Sequence, residues 1–562
     1  MIKRQEIFSP PQIAFSCYPF GVGNQTEGVA ILLNIGNYRI LLDCGLAEID
    51  SLSANNEPPA DWVFCSHAHQ DHARGLLSLH QKFPDLPIYT SDVTAKLLPL
   101  NWLNQKNFSS LSFAQVLPWR SRSNISKKID ITDRNPINLE SDLTVELFPA
   151  GHLPGATSFL FEYKYNNRIY KIFYTGDFCL SNLQLVEGLS LDSLRGLNPD
   201  VLILEGSYGT ARHPHRRQQE KYLMERIKSA LTDNVNVILP VPTFGLGQEL
   251  LKLLRSHHEF TGANLDIWVD GDLPTACDLY LELMDYFPAN VQNFAKHQPL
   301  FWDDKIKPRM RRVENNLPRH QLINSPSIVL TDNINHLEEY CEQSQEKWLV
   351  LISEQSKIKH CSIFQRFIAN INPKKIILED YLLAEHSDGK NTTQLIHNLR
   401  PQHIIFVHGS PNYLADLTSL EELQNRYQLH SPRVGIMVDL PIGAKFMQPK
   451  VTPQSNYEGE LNETGAYITI TLPEQINKDP RWQNFADTGL VEARWQGEEL
   501  VLRGLSQREL LQQNSLLRRQ LNPESCGNCA YYQDQSCNNK NSPLDGFKVP
   551  TDGYCPFFEG IL

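Results

Sequence analysis

The apolar run Trp62-Val-Phe-Cys65, followed at once by His67, His69, Asp71 and His72, constrains this chain more than any other stretch. Four ligand-type side chains fall within six positions. At the extended end of a strand, residues i and i+2 project to the same side, so His67 and His69 can chelate one cation. Asp71 and His72 come where the chain turns into a helix running through Leu76, Leu77 and His80, which carries a carboxylate and a further imidazole towards a second cation. Zinc accepts both ligand types. The bland alternative is a solvated surface histidine cluster. Four further residues weigh against it: Asp43 in Leu-Leu-Asp-Cys-Gly45, His152 in Ala-Gly-His-Leu-Pro, Asp177 in Tyr-Thr-Gly-Asp-Phe178 and His408 in Phe-Val-His-Gly409. Each follows or closes a predicted strand. Singly such a residue reads as a satisfied loop side chain, but together they complete a dinuclear site.

The rest of the chain supplies the framework for these loops. At 562 residues it is too long for one core, so two to four domains are expected. Short β-branched runs at Val29–34, Tyr38–42, 143–148 and 169–174 alternate with helical stretches, which reads as α/β. A second α/β pattern from 207 to 380 has strands at 235–241, 265–269, 327–330 and 348–352 and a helix after Thr243-Phe-Gly-Leu-Gly, and it reads as an insertion. The span 381–450 returns to the first pattern, its strand at 403–407 ending on His408. A polar segment from 449 to 464 marks a boundary. Beyond it are predicted a strand at 466–472, a hairpin across 491–503 and a helix from 506 to 521.

Charge and cysteine usage narrow the setting. With 52 Lys plus Arg against 64 Asp plus Glu, the formal charge of -12 does not mark the whole molecule as a polyanion binder, so any nucleic-acid site must be local. Lys305 to Arg312 forms a basic cluster, and Arg212, Arg216 and Arg217 lie close after Glu205. Either group could track a phosphate backbone or form a solvated face. No signal peptide or apolar span is expected, and a cytoplasmic setting is the default.

The metal-binding set resembles the metallo-β-lactamase superfamily. That resemblance implies an αββα sandwich with an inserted β-CASP α/β domain: 1–206 and 381–450 as the metallo-β-lactamase domain, 207–380 as the insertion, and 451–562 as a C-terminal module. It further implies that His67, His69 and His152 bind a first zinc and that Asp71, His72 and His408 bind a second, with Asp177 bridging and Asp43 behind a ligand. Three more features resemble the β-CASP nucleases: Glu205-Gly-Ser-Tyr-Gly209, Ala384-Glu-His386-Ser-Asp388, and His408 22 residues beyond His386. By this resemblance His386 is the general acid, with Glu205 or Asp388 holding its tautomer, and a histidine at position 408 goes with RNA rather than DNA processing. The expected substrate is therefore RNA. A homodimer is admitted, and no membrane partner is expected. The loops at Val269-Asp-Gly-Asp272 and Ser327 to Asn335 depart from the family, lacking its Pro-Met and Ser-Gly-Met continuations.

Four of the 11 cysteines crowd at the C-terminal end as Cys526, Cys529, Cys537 and Cys555. So short and loop-rich a segment cannot bury a core of its own, and a tetrahedral thiolate site is a natural source of stability, as zinc or as an iron–sulfur cluster. The resulting reading is a zinc-dependent ribonuclease. DNA or a smaller ester as substrate, or a catalytically silent RNA- or protein-binding scaffold, are the alternatives.

Overall fold

In the computed structural model the described residues are 15–24, 27–52, 57–102, 114–117, 129–130, 142–314, 318–319, 326–341, 346–443, 460–464, 467–471, 491–496, 499–504, 529–533 and 536–540. The chain divides into two units, Met1–Val451 and Thr452–Leu562.

The first unit contains two seven-stranded sheets and one of six strands. In the first sheet the antiparallel meander Phe15–Val22, Val29–Ile35, Tyr38–Leu42 continues in parallel through Trp62–Phe64, Ile88–Ser91 and Ala114–Leu117. In the second, Leu143–Pro149, Thr157–Tyr165 and Arg168–Tyr174 run antiparallel, then Val201–Glu205 and His403–Val407 join in parallel.

Side-chain alternation explains why these two sheets stack. Residues two apart point to one face of a strand. Val29, Ile31, Leu33 and Ile35 share one buried cluster with Ile40, Leu42, Phe64, Phe159, Phe161, Ile172, Tyr174, Val201 and Ile203, the layer between the sheets. Their neighbours Ala30, Leu41, Leu160, Phe173 and Leu202 belong to a second cluster that includes helical residues such as Leu76 and Leu79. Both faces of each sheet are apolar, so each is covered twice, giving an αββα sandwich. Phe64, Phe159 and Phe161 are fully buried and contribute about 1.5–3 kcal/mol each.

The third sheet lies in the sequence between two neighbouring strands of the second. Its six strands, in the order Arg309–Arg312, Asp266–Asp270, Ile328–Thr331, Asn236–Pro240, Trp348–Ser353 and Ile376–Tyr381, are all parallel. Apolar residues again alternate between two clusters, Val237 and Leu239 on one face and Ile238 on the other, so helices cover both sides. The excursion ends where it began, since Glu205 pairs with Val407 and Gly206 N donates to Val407 O at 2.8 Å.

In the basic run 305–312 the three arginines are paired with acids, while Lys305 and Lys307 are exposed. Arg309 donates to Asp266 at 2.5 Å, Arg312 to Asp278 at 2.5 and 2.7 Å, and Arg311 lies 3.3 Å from Asp304. Arg216 is buried against Glu220 and Glu249, while Arg212 and Arg217 stay exposed.

In the second unit, Glu460–Thr464 pairs with Tyr467–Thr471, Val491–Gln496 with Glu499–Gly504, and Tyr532–Gln533 with Ser536–Cys537. The helix expected at 506–521, together with Cys526 and Cys555, lies outside the described residues. Cys529 and Cys537 are buried.

Candidate metal centre

Strand ends gather the polar residues. Asp43, His67, His152, Asp177 and His408 all stand just past the C-terminal ends of strands of the two stacked sheets, and Glu205 is the last residue of its strand. Asp71 and His72 lie in the first turn of the helix Gln70–Ala73, which breaks at Gly75 before a second helix, Leu76–Lys82. Gly45 lets that first turn pack close, because a Cβ there would sit 1.7 Å from Asp71 O.

Three ligand-type groups result among the described residues, one of them Asp177, Glu205, His386 and His408. His67, His69, His152 and Asp177 offer atoms all within 4.8 Å of one another, and so do Asp71, His72 and His408. Asp177 lies between the two sets: Oδ2 is 3.5 Å from His67 Nε2 and 3.8 Å from His152 Nε2, and Oδ1 is 3.2 Å from His72 Nε2. Asp71 Oδ2 is 3.1 Å from His408 Nε2. Ligands of one tetrahedral zinc stand about 3.3–3.5 Å apart, and these distances bracket that value.

The outer hydrogen bonds orient every ring. One nitrogen of each histidine meets a partner on the outside and the other turns inward. His72 Nδ1 donates to Asp43 Oδ2 at 2.7 Å, His69 Nε2 to Phe244 O at 3.3 Å and His152 Nδ1 to Glu385 O at 3.0 Å. His67 Nδ1 is 3.0 Å from Ser66 Oγ, and His408 Nδ1 is 2.9 Å from Ser207 Oγ. Asp43 is itself held by Ser66 N at 2.6 Å, Ser66 Oγ at 2.8 Å and Tyr174 OH at 2.5 Å. Outer partners of this kind fix the tautomer of a metal-binding imidazole.

The donor set fits divalent cations on two observations. With their outer nitrogens donating, His69 Nδ1 and His152 Nε2 face each other as lone pairs only 3.0 Å apart, an arrangement that a shared cation relieves. In addition, His67 Nε2, His72 Nε2 and Asp177 Oδ1 are buried and make no hydrogen bond. Each such atom costs about 1–3 kcal/mol unless a ligand satisfies it. The protonation states agree for His67, His69 and His152, whereas, against burial, Asp177 and Asp43 raise His72, and Asp177 and Asp71 raise His408. Burial, reinforced by neighbouring imidazoles, holds His67 well below its ordinary range and His152 down at about 3, and burial with the His72 imidazole outweighs nearby acids to hold His69 at about 4. Burial would raise Asp177, but His408, His72 and His67 keep it ionised.

His386 stands at the rim. Its Nδ1 lies 3.0 Å from Glu205 Oε1 and 4.0 Å from Asp177 Oδ2, and its ring is 4.6 Å from that of His152. Burial opposes its charge, yet Glu205 and Asp177 raise it to about 9. Glu205 Oε1 also accepts from Phe178 N at 2.8 Å, and its other oxygen takes the Ser207 hydroxyl. Of the two acids expected to hold His386, then, Glu205 faces it. Asp388 instead caps the helix Gly389–Leu399, accepting from Asn391 N at 2.9 Å and from His213 N at 3.0 Å.

Sequence reasoning missed Ser66, Tyr174, Ser207, Phe244 and the Glu385 carbonyl. Ser66 and Tyr174 carried a weak signal, Ser66 directly before His67 and Tyr174 as the last residue of the strand before Asp177. Phe244 and Glu385 carried none, because they arrive from the third sheet and the loop that returns from it.

Residues 23–228 match the family model described as the Metallo-beta-lactamase superfamily. An uncharacterized protein of Synechocystis is 49% identical over 554 residues, covering 97% of each chain. A probable RNase of Methanocaldococcus jannaschii is 30% identical over 288 residues, 49% of this chain and 64% of that protein. An endoribonuclease of Gibberella zeae, YSH1, is 24% identical over 468 residues, 73% of this chain and 54% of that protein. The chain thus spans between half and two thirds of the length of these two nucleases.

Proposed function

We propose that this chain, which belongs to the metallo-beta-lactamase superfamily and has β-CASP nucleases among its relatives, hydrolyses RNA phosphodiesters. The observation that carries this reading is the apposition of the His386–Glu205 pair to two converging ligand groups. His67, His69 and His152 would hold one zinc, Asp71, His72 and His408 the other, and Asp177 both. Two such cations lower the pKa of a shared water and neutralise the charge that builds on a phosphodiester in the transition state.

The chain's own residues do the rest. Glu205 engages His386 Nδ1, so the ring keeps its proton at neutral pH and presents Nε2 to the leaving 3′ oxygen. Asp43 and the Ser66 hydroxyl keep His72 and His67 in the tautomers that direct Nε2 inward. RNA, rather than DNA, is favoured by the histidine at 408 and by the ribonuclease names of the relatives.

A further site on Cys526, Cys529, Cys537 and Cys555, for zinc or an iron–sulfur cluster, belongs to the same reading. It is supported by the spacing and by the burial of Cys529 and Cys537.

The test compares the purified chain with His69→Ala and His386→Ala for metal content and for cleavage of labelled single-stranded RNA and DNA. The expected result is RNA cleavage by the unaltered chain alone, with metal lost in His69→Ala and kept in His386→Ala. Equal background cleavage by all three would overturn the nuclease reading, and cleavage of DNA only would overturn the choice of RNA.

A further inference from the structure

The third sheet holds a cavity of about 410 Å³, lined in part by Thr243, Asp272, Arg319, Asp332, Asn333 and His336. It opens beyond the carboxyl ends of the parallel strands Asn236–Pro240, Asp266–Asp270 and Ile328–Thr331, where ligands of open α/β sheets bind. Its size falls in the range of small-molecule pockets, roughly 300–1,000 Å³. Two of its walls are the loops at 269–272 and 327–335 that depart from the family pattern in sequence.

The walls are built. Arg319 donates to both oxygens of Asp270, at 2.7 and 3.1 Å, and to Glu339 at 3.0 Å, so its fork is already engaged. Tyr340 OH and His336 Nδ1 also meet Asp270, at 3.1 and 2.9 Å. Asp332 is fixed by Thr243 Oγ1 at 2.7 Å and by Asp272 N at 2.9 Å. Gly271, at φ +81°, permits this approach, since a Cβ there would lie 2.0 Å from Asp332 Oδ1.

The wall chemistry selects the ligand. Two carboxylates, Asp272 and Asp332, line the cavity, while the guanidinium of Arg319 is bound to acids. A phosphate is therefore disfavoured and a group offering N–H donors is favoured, because an ionised carboxylate only accepts. One loop links the cavity to the candidate metal centre. Thr243 immediately precedes Phe244, whose ring stacks on His69 with centroids 5.3 Å apart and whose carbonyl accepts a hydrogen bond from His69 Nε2.

We infer that this cavity receives a base of the substrate strand close to the scissile bond, and that its carboxylates select guanine, whose adjacent ring N–H and amino N–H groups match one carboxylate in bidentate fashion. The inference rests on the ribonuclease reading for its setting. The cavity's ligand can be tested without it.

Two measurements on the full chain decide the matter. The first compares kcat/KM on oligoribonucleotides that differ only in the bases flanking the cleaved bond. Guanine should be preferred at one position, and Asp332→Asn and Asp272→Asn should each cut the ratio of guanine to adenine by at least about five-fold. A merely structural role would lower all substrates alike and leave that ratio unmoved. The second titrates guanosine and adenosine into the unaltered chain, His386→Ala and Asp332→Asn, followed by NMR. Guanosine should bind the first two and fail to bind the third. If the unaltered chain cleaves no RNA while guanosine binding depends on Asp332, the cavity assignment stands and the ribonuclease reading falls. Cleavage with no base preference, or guanosine binding that is absent or equal in Asp332→Asn, overturns the assignment.

Discussion

At the scale of single residues, the candidate ligand histidines are fixed from behind. Asp43 takes four hydrogen bonds, among them the one that orients His72, and adopts φ 58°, a left-handed backbone conformation that aspartate tolerates better than most residues. Asp43→Asn should lower metal affinity or activity about 10- to 100-fold without unfolding the chain, read by competition with a chelator and by circular dichroism. In the proposed function His386 is the general acid, so its loss should spare metal content. His386→Ala is expected to reduce kcat by about 10²–10⁴. That deficit should shrink on a substrate with a 3′-thio leaving group, which departs without a proton. An equal deficit on both substrates would remove His386 from the role of acid. Glu205 and Asp388 were interchangeable in sequence, and only the 3.0 Å contact to Glu205 and the capping bonds of Asp388 separate them.

At the scale of elements, close packing of loops on strand ends sets the geometry. Gly45→Ala places a methyl 1.7 Å from Asp71 O, so the short helix must shift. A cost of about 1–3 kcal/mol and partial loss of the Asp71 and His72 metal are expected, measured by thermal melting and metal analysis. A second element pair carries a pH dependence. His403 on one strand and His430 on the next are linked at 3.1 Å, and His403 Nε2 donates to Pro441 O at 3.1 Å, so both rings are satisfied when neutral. Burial depresses both, His430 to about 4. The unfolded chain takes up protons from about pH 6.5, whereas the folded pair resists them until lower pH. Their contribution to stability is therefore whole above about pH 6.5 and is lost as pH falls towards 4. His430→Gln keeps an N–H donor and should flatten the melting temperature over that window. An unchanged slope would assign the loss to other groups.

At the scale of the whole molecule, ligands separated by more than 300 residues in sequence meet at one place, so bound cations should stabilise the first unit as a whole. Prolonged chelation should lower its melting temperature, and added zinc should restore it. The candidate ligand residues and the strand-and-loop rhythm were legible in the sequence by itself, because both are written locally: alternation with period two, and His, Asp and Gly at strand ends. The third sheet was likewise visible as a second α/β run between 207 and 380. Only the tertiary structure decided which acid holds His386, that the arginines of the run 305–312 pair with Asp266, Asp278 and Asp304, and that Phe244 and the Glu385 carbonyl orient His69 and His152. Each of those choices is a hydrogen bond or ion pair between elements distant in the chain, and residue type and spacing leave such partners open until packing fixes them.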